Sequence, residues 1–114
     1  MNTDINARDS KFAAGPVSVD RSSRRASVSG QEVRLTAIEH RLLVTLVERR
    51  GTALSRQKLY QDVWEANPNV QTRTVDMHVQ RLRKKLGHTA NLIETVRGVG
   101  YRFKEPNGDS RRVS

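Results

Sequence analysis

Two spacings of apolar residues divide this chain. Up to position 35 they fall on alternate positions in short runs: VSVD at 17–20 alternates through Val17 and Val19, and QEVRL at 31–35 through Val33 and Leu35. Such alternation turns one face of an extended strand toward a core. RASV at 25–28 adds another short strand and KFAAG at 11–15 a weak edge strand, with RSSR at 21–24 and SG at 29–30 as turns. Strands broken at these short intervals predict a small antiparallel sheet. From position 36 the spacing changes to three and four, as Ile38, Leu42, Leu43, Leu46 and Val47 share one side of a helix. Thr36 and Glu39 stand three apart at its start, which is the spacing of a capping box, and Gly51 ends it.

TALS at 52–55 reads as a short extended link, and Ser55 is a good N-cap for a second helix over 56–64, with Leu59, Val63 and Trp64 on its inner side. Asn67-Pro68-Asn69 within EANPNVQ at 65–71 cannot continue that helix. A third helix follows over 72–86 and stops at Gly87. HTAN at 88–91 turns into a strand at 92–96, RGVG at 97–100 is a hairpin tip, and YRFK at 101–104 is the returning strand. Residues 1–10 are polar and unpatterned, a disordered lead-in or linker, and 105–114 form a flexible tail, leaving 11–104 as one folded domain.

The third helix, TRTVDMHVQRLRKKLG, carries two patterns at once. At about 100° per residue, Val75, Val79, Leu82 and Leu86 form one narrow stripe that must face the core. Opposite lie Arg73, Met77, Gln80, Arg81 and Lys84. Thr74, His78 and Lys85 flank one side, Asp76 and Arg83 the other. An ordinary solvated helix mixes the signs of its charges; here Asp76 is the single acid, placed near the N-terminus where it suits the helix dipole. An exposed Met in the middle of the polar face also fits a contact surface.

The totals sharpen this picture. Among 114 residues the net charge is +9, and six of those nine charges come from positions 71–104, which hold eight Lys/Arg against Asp76 and Glu94. Charge concentrated in one segment points to a polyanionic partner. There is no cysteine, which excludes disulfides, thiolate metal sites and a cysteine nucleophile. The longest nearly apolar run, 42–47, is far below the about 18 residues of a membrane span, and the N-terminus has no signal-peptide core. A cytoplasmic protein without membrane, metal or cofactor is expected.

A helix, a broken link and a second helix with a basic outer face make a helix-turn-helix layout, whose second helix enters the major groove. Arg suits bidentate contact with guanine, and Thr or Met can meet a thymine methyl. Flanking cations meet phosphates and fix register. Arg97, at the tip of the following hairpin, is within reach of an adjacent minor groove, where a narrow A·T tract attracts Arg. An enzyme is a poor alternative. His40, His78 and His88 have no metal-ligand company, and Gly98-x-Gly100 lacks the third glycine of a nucleotide loop, since position 103 is Phe. RRAS at 24–27 has the form of a kinase site but reads as the basic edge of a predicted hairpin. The remaining alternative is a protein-interaction module whose basic stripe holds an acidic partner.

RTVDMHVQRLRKKLG followed by IETVRGVGYRF resembles the C-terminal effector domain of OmpR/PhoB-type response regulators, and LTAIEHRLLVTLV and SRQKLYQDVW fall in the same order. The resemblance covers about residues 11–104. It implies an α+β winged helix-turn-helix with an N-terminal four-stranded antiparallel sheet, three helices and a C-terminal hairpin wing. It implies sequence-specific binding to double-stranded DNA, with a recognition helix over 72–86. Arg73, Thr74, Met77 and Arg81 would meet base edges, Arg56, His78, Arg83, Lys84, Tyr101 and Arg102 phosphates, and Arg97 the minor groove. The loop 65–71, with Glu65, Asn67, Asn69 and Gln71, would touch RNA polymerase. Members of the family bind tandem half-sites, so a monomer in isolation and a dimer on DNA are expected. Met77 and Gln80 occupy positions that vary among relatives, so the operator cannot be copied from one. A receiver domain has no room in this chain, which points to an isolated effector or a stand-alone regulator.

Overall fold

The computed structural model describes residues 11–65 and 73–105. Its first layer is a meander of four strands, β1 (Lys11–Ala14), β2 (Val17–Asp20), β3 (Arg25–Val28) and β4 (Gln31–Val33), paired antiparallel in sequence order. The registers Phe12↔Val19, Val19↔Ala26 and Ala26↔Val33 bring the alternating apolar positions to one face. Ala14, Val17, Val19, Ala26 and Val28 are buried there.

Helix α1 (Ala37–Glu48) lies across that face and also packs on the last strand, β7 (Gly100–Phe103), and on both later helices. Its capping box forms: the Glu39 N–H donates to Thr36 Oγ1 at 3.1 Å and the Thr36 N–H to Glu39 Oε1 at 2.9 Å. The helix stops at Glu48, before the expected glycine. Gly51 instead turns the chain at φ +87° and sends its N–H to the Phe103 carbonyl at 2.8 Å.

Helix α2 (Arg56–Trp64) begins on Ser55, whose Oγ accepts from the Lys58 N–H at 3.0 Å. The link at 52–55 is more than a link. Leu54–Ser55 forms a short strand, β5, that pairs with β7. Helix α3 (Arg73–Leu86) buries Val75, Val79, Leu82 and Leu86, as its apolar stripe predicts. The expected turn at 88–91 is a 3-10 helix, Gly87–Leu92, with the Thr89 hydroxyl donating to the Leu86 carbonyl at 2.8 Å.

Strands β6 (Ile93–Val96) and β7 (Gly100–Phe103) close the chain as a hairpin, and the second sheet has the order β5-β7-β6. Gly100 therefore belongs to the strand, paired with both Val96 and Ser55, and not to the tip. A Cβ on Gly100 would lie 2.1 Å from the Leu54 carbonyl oxygen, so the crossing of β5 over β7 requires glycine. Phe103, fully buried, joins this sheet to the core. The expected lead-in at 1–10 lies outside the described residues, as does the expected tail at 105–114 beyond Glu105.

Candidate nucleic-acid interface

The core stripe of α3 fixes the helix about its own axis, and both flanks are then taken up by protein contacts. On one flank, the Asp76 Oδ1 accepts from Arg56 Nε at 2.7 Å and from the Tyr101 hydroxyl at 2.6 Å. One turn and more further on, Arg83 Nη2 donates to the Ile93 carbonyl at 2.7 Å and to Thr95 Oγ1 at 2.9 Å. The Tyr101 ring lies between two guanidiniums, Arg56 at 5.2 Å and Arg83 at 5.5 Å from its centroid. This flank thus joins α3 to the start of α2 and to the hairpin.

On the opposite flank, His78 Nδ1–H donates to the Thr74 carbonyl at 2.9 Å, and its ring meets Trp64 edge-on at 5.1 Å. Trp64 in turn stacks on Tyr60 at 5.2 Å, so it is an edge-packing residue between α2 and α3. Lys85, in the last turn, reaches Glu39 Oε1 at 2.6 Å. Burial raises the Glu39 carboxyl. The Lys85 ammonium and the Thr36 N–H and hydroxyl outweigh it and hold that carboxyl below its ordinary value.

What is left outward is the arc Arg73, Met77, Gln80, Arg81 and Lys84, every member exposed. Among the described residues, Arg73, Arg81 and Lys84 make no ion pair, and neither does Arg97. Met77 keeps 49% of its surface in solvent, and the other large exposed hydrophobic among the described residues, Val99, sits at the hairpin tip. That tip carries Arg97 and turns through Gly98 at φ +80°, with the Val99 N–H closing it on the Val96 carbonyl at 2.9 Å.

The six residues expected at phosphates divide into two groups. Lys84 has no ion-pair partner among the described residues. Arg56, His78, Arg83, Tyr101 and Arg102 all hold other residues; Arg102 pairs with Glu94 across the hairpin at 2.7 Å. Arg56 engages Asp76 through Nε, which leaves its terminal nitrogens for a further acceptor. Tyr101 is only 3% exposed. Burial raises the Asp76 carboxyl, but the Tyr101 hydroxyl and the Arg56 guanidinium together bring it below its ordinary value. Burial and the Asp76 carboxylate push the Tyr101 hydroxyl up.

Of the expected polymerase loop, Glu65 is described. It caps α2 in the left-handed region, φ 53°, and pairs with Arg41 of α1 at 2.6 Å. Asn67, Asn69 and Gln71, like Thr72, lie outside the described residues. From sequence, Asp76 suits the helix dipole and Lys85 is one cation among five. In the fold both are tie points. The signal for Asp76 was its place beside Arg83 on one flank. Glu39 and Lys85 are 46 positions apart, and no local pattern connects them.

Comparison with known proteins agrees with this geometry. The family described as transcriptional regulatory protein, C terminal, matches residues 30–103. The transcriptional regulatory protein CseB of Streptomyces avermitilis is 46% identical over 90 residues, which is 79% of this chain and 37% of CseB. The phosphate regulon regulatory protein PhoB of Pseudomonas aeruginosa is 38% identical over 96 residues, 83% of this chain and 42% of PhoB. The chain therefore spans about two-fifths of the length of these relatives. Among solved structures, the DNA-binding domain of Klebsiella pneumoniae RstA, in complex with the RstA box, superposes with a TM-score of 0.75 at 28% identity, covering 83% of this chain and 97% of that one. The DNA-binding domain of AdeR in complex with an intercistronic region gives 0.73 at 26% identity, covering 83% and 99%. The chain belongs to the C-terminal domain family of transcriptional regulatory proteins, the OmpR/PhoB type of effector.

Proposed function

We propose that this domain binds double-stranded DNA sequence-specifically as the effector of a transcriptional response regulator, with α3 in the major groove. The observation that carries this is the outward arc of α3. Its two flanks are held by α1, α2 and the hairpin, while Arg73, Met77, Gln80, Arg81 and Lys84 are presented outward. A row of cations with no counter-charge is destabilised by self-repulsion, and a phosphate backbone relieves it. AdeR and RstA, whose DNA-binding domains have this fold, are each in complex with DNA.

In this reading Arg73 and Arg81, about two turns apart along the outward arc, donate to guanine edges, and Thr74 and Met77 meet apolar base edges between them. Lys84 and the terminal nitrogens of Arg56 hold phosphates; His78, Arg83, Tyr101 and Arg102 serve chiefly to support the frame around them. Arg97 enters the minor groove beside the site. Two copies occupy tandem half-sites about one helical turn apart. The loop 65–71, starting from Glu65, meets RNA polymerase. In the whole regulator, a cytoplasmic receiver domain passes its phosphorylation state to this effector.

The test is selection of random duplexes by the purified domain followed by sequencing of the bound pool. Enrichment of one motif, repeated at a spacing of about 10–11 base pairs, is the expected result. A pool with no enriched motif, bound no better than heparin, would leave a basic module for an acidic protein partner as the better reading.

A further inference from the structure

We propose that Asp76, an acid on the flank of the DNA-facing helix, is a positioning residue for DNA binding: it aims Arg56 at a phosphate and fixes the wing relative to α3. The proposal rests on the DNA-binding reading above. Asp76 is the one acid in a helix with five cations, and it stands beside the arc that would meet a polyanion. By charge alone it should weaken binding. Its place near the start of α3 suits the helix dipole, which does not explain its other contacts.

Those contacts do. A single oxygen, Oδ1, accepts two short bonds from different elements, Arg56 Nε from the first residue of α2 and the Tyr101 hydroxyl from β7. The Nε bond fixes the plane of the guanidinium, which also lies over the Tyr101 ring. With Nε committed to Asp76, the fork of the two terminal nitrogens is the part of Arg56 left to meet a phosphate. The second bond holds β7, and Arg83 holds β6 through Ile93 and Thr95. The hairpin that carries Arg97 is therefore clamped to α3 at both strands. Major-groove and minor-groove contacts become one rigid unit, so neither pays separately for ordering the other.

The experiment measures affinity for a selected duplex over a range of salt, for the wild-type domain, D76A and Y101F, each with and without R97A. A thermal melt confirms folding of each variant. D76A raises the net charge by one, yet we expect it to bind about tenfold more weakly, the scale of one charge-assisted contact. Its salt slope should fall by about 0.9, one phosphate contact. In the D76A background, R97A should cost less than in the wild type, with the Arg83 clamp on β6 left in place. Y101F keeps the Asp76–Arg56 ion pair and removes the hydroxyl that ties β7 to Asp76. It should keep the salt slope and still reduce the effect of R97A, and it carries the test should D76A fail to fold. If D76A binds as tightly as the wild type or tighter, or if R97A costs the same in all backgrounds, the positioning role is overturned. A wild-type domain that does not bind duplex DNA would overturn the DNA reading itself, and this inference with it.

Discussion

Lys85 and Lys84 are neighbours in sequence with opposite attachments. Lys85 Nζ lies 2.6 Å from the buried Glu39 carboxylate, whose side chain is 3% exposed, while Lys84 points outward with no ion pair among the described residues. K85A should lower stability by about 1–3 kcal/mol, because it strips a charged partner from a buried carboxylate, and should leave the salt slope of DNA binding unchanged. K84A should leave the melting temperature unchanged and reduce that slope by about 0.9. Equal behaviour of the two variants in both measurements would contradict the orientation of α3.

The same carboxylates set the acid limb of stability. Glu39 and Asp76 both titrate below their ordinary values in the fold. A lowered carboxyl contributes stability that is fully present above its unfolded value, about 4 for these groups, and is lost as the pH falls through the folded value. The domain should hold its stability from neutral pH down to about 5 and lose it below that. E39Q should be less stable at pH 7 and show a flatter acid limb. The raised Tyr101 hydroxyl acts on the other side: its contribution is present below about pH 10 and is lost as the pH rises beyond it. Denaturant melts at a series of pH values check both limbs; an E39Q profile parallel to the wild type would refute the assignment.

Gly100 gives a steric prediction. A methyl group there would meet the Leu54 carbonyl at 2.1 Å, and that oxygen is backbone. G100A should destabilise by about 1–3 kcal/mol, the range of overpacking, and should separate β5 from β7. Hydrogen exchange of the amides in 54–55 and 100–101 reads this directly. Unchanged protection would mean that the strands can part at no cost.

Specificity should divide between the two contact points. R81A should cost about 1–3 kcal/mol and relax selectivity at one base pair; a uniform loss across all sequences would make Arg81 a phosphate contact. R97A should weaken binding most on A·T-rich flanks, where the minor groove is narrow. Equal loss on G·C-rich flanks would contradict the placement of the wing.

Local chemistry made much of this fold legible in the sequence. Thr36 with Glu39 and Ser55 announced two helix starts, and alternation through Val17, Val19 and Val33 announced the sheet. The four-residue stripe of α3 gave its inner face, because period and burial are tied by helix geometry. The flanks were not legible. Whether Arg83 or Lys85 meets solvent or protein depends on what the chain brings alongside, here β6 and α1. A two-residue strand such as Leu54–Ser55 is too short to carry a period, and Gly100 reads as a turn residue until β5 crosses it.

Sequence reading by the outward arc of α3 can be measured by competition binding, at about 150 mM salt, between the duplex won by selection and a scrambled duplex of the same composition. The selected duplex should be preferred by about 10³-fold or more, and the preference should be lost when Arg73 and Arg81 are both replaced by alanine. Equal affinity for the two duplexes would contradict it.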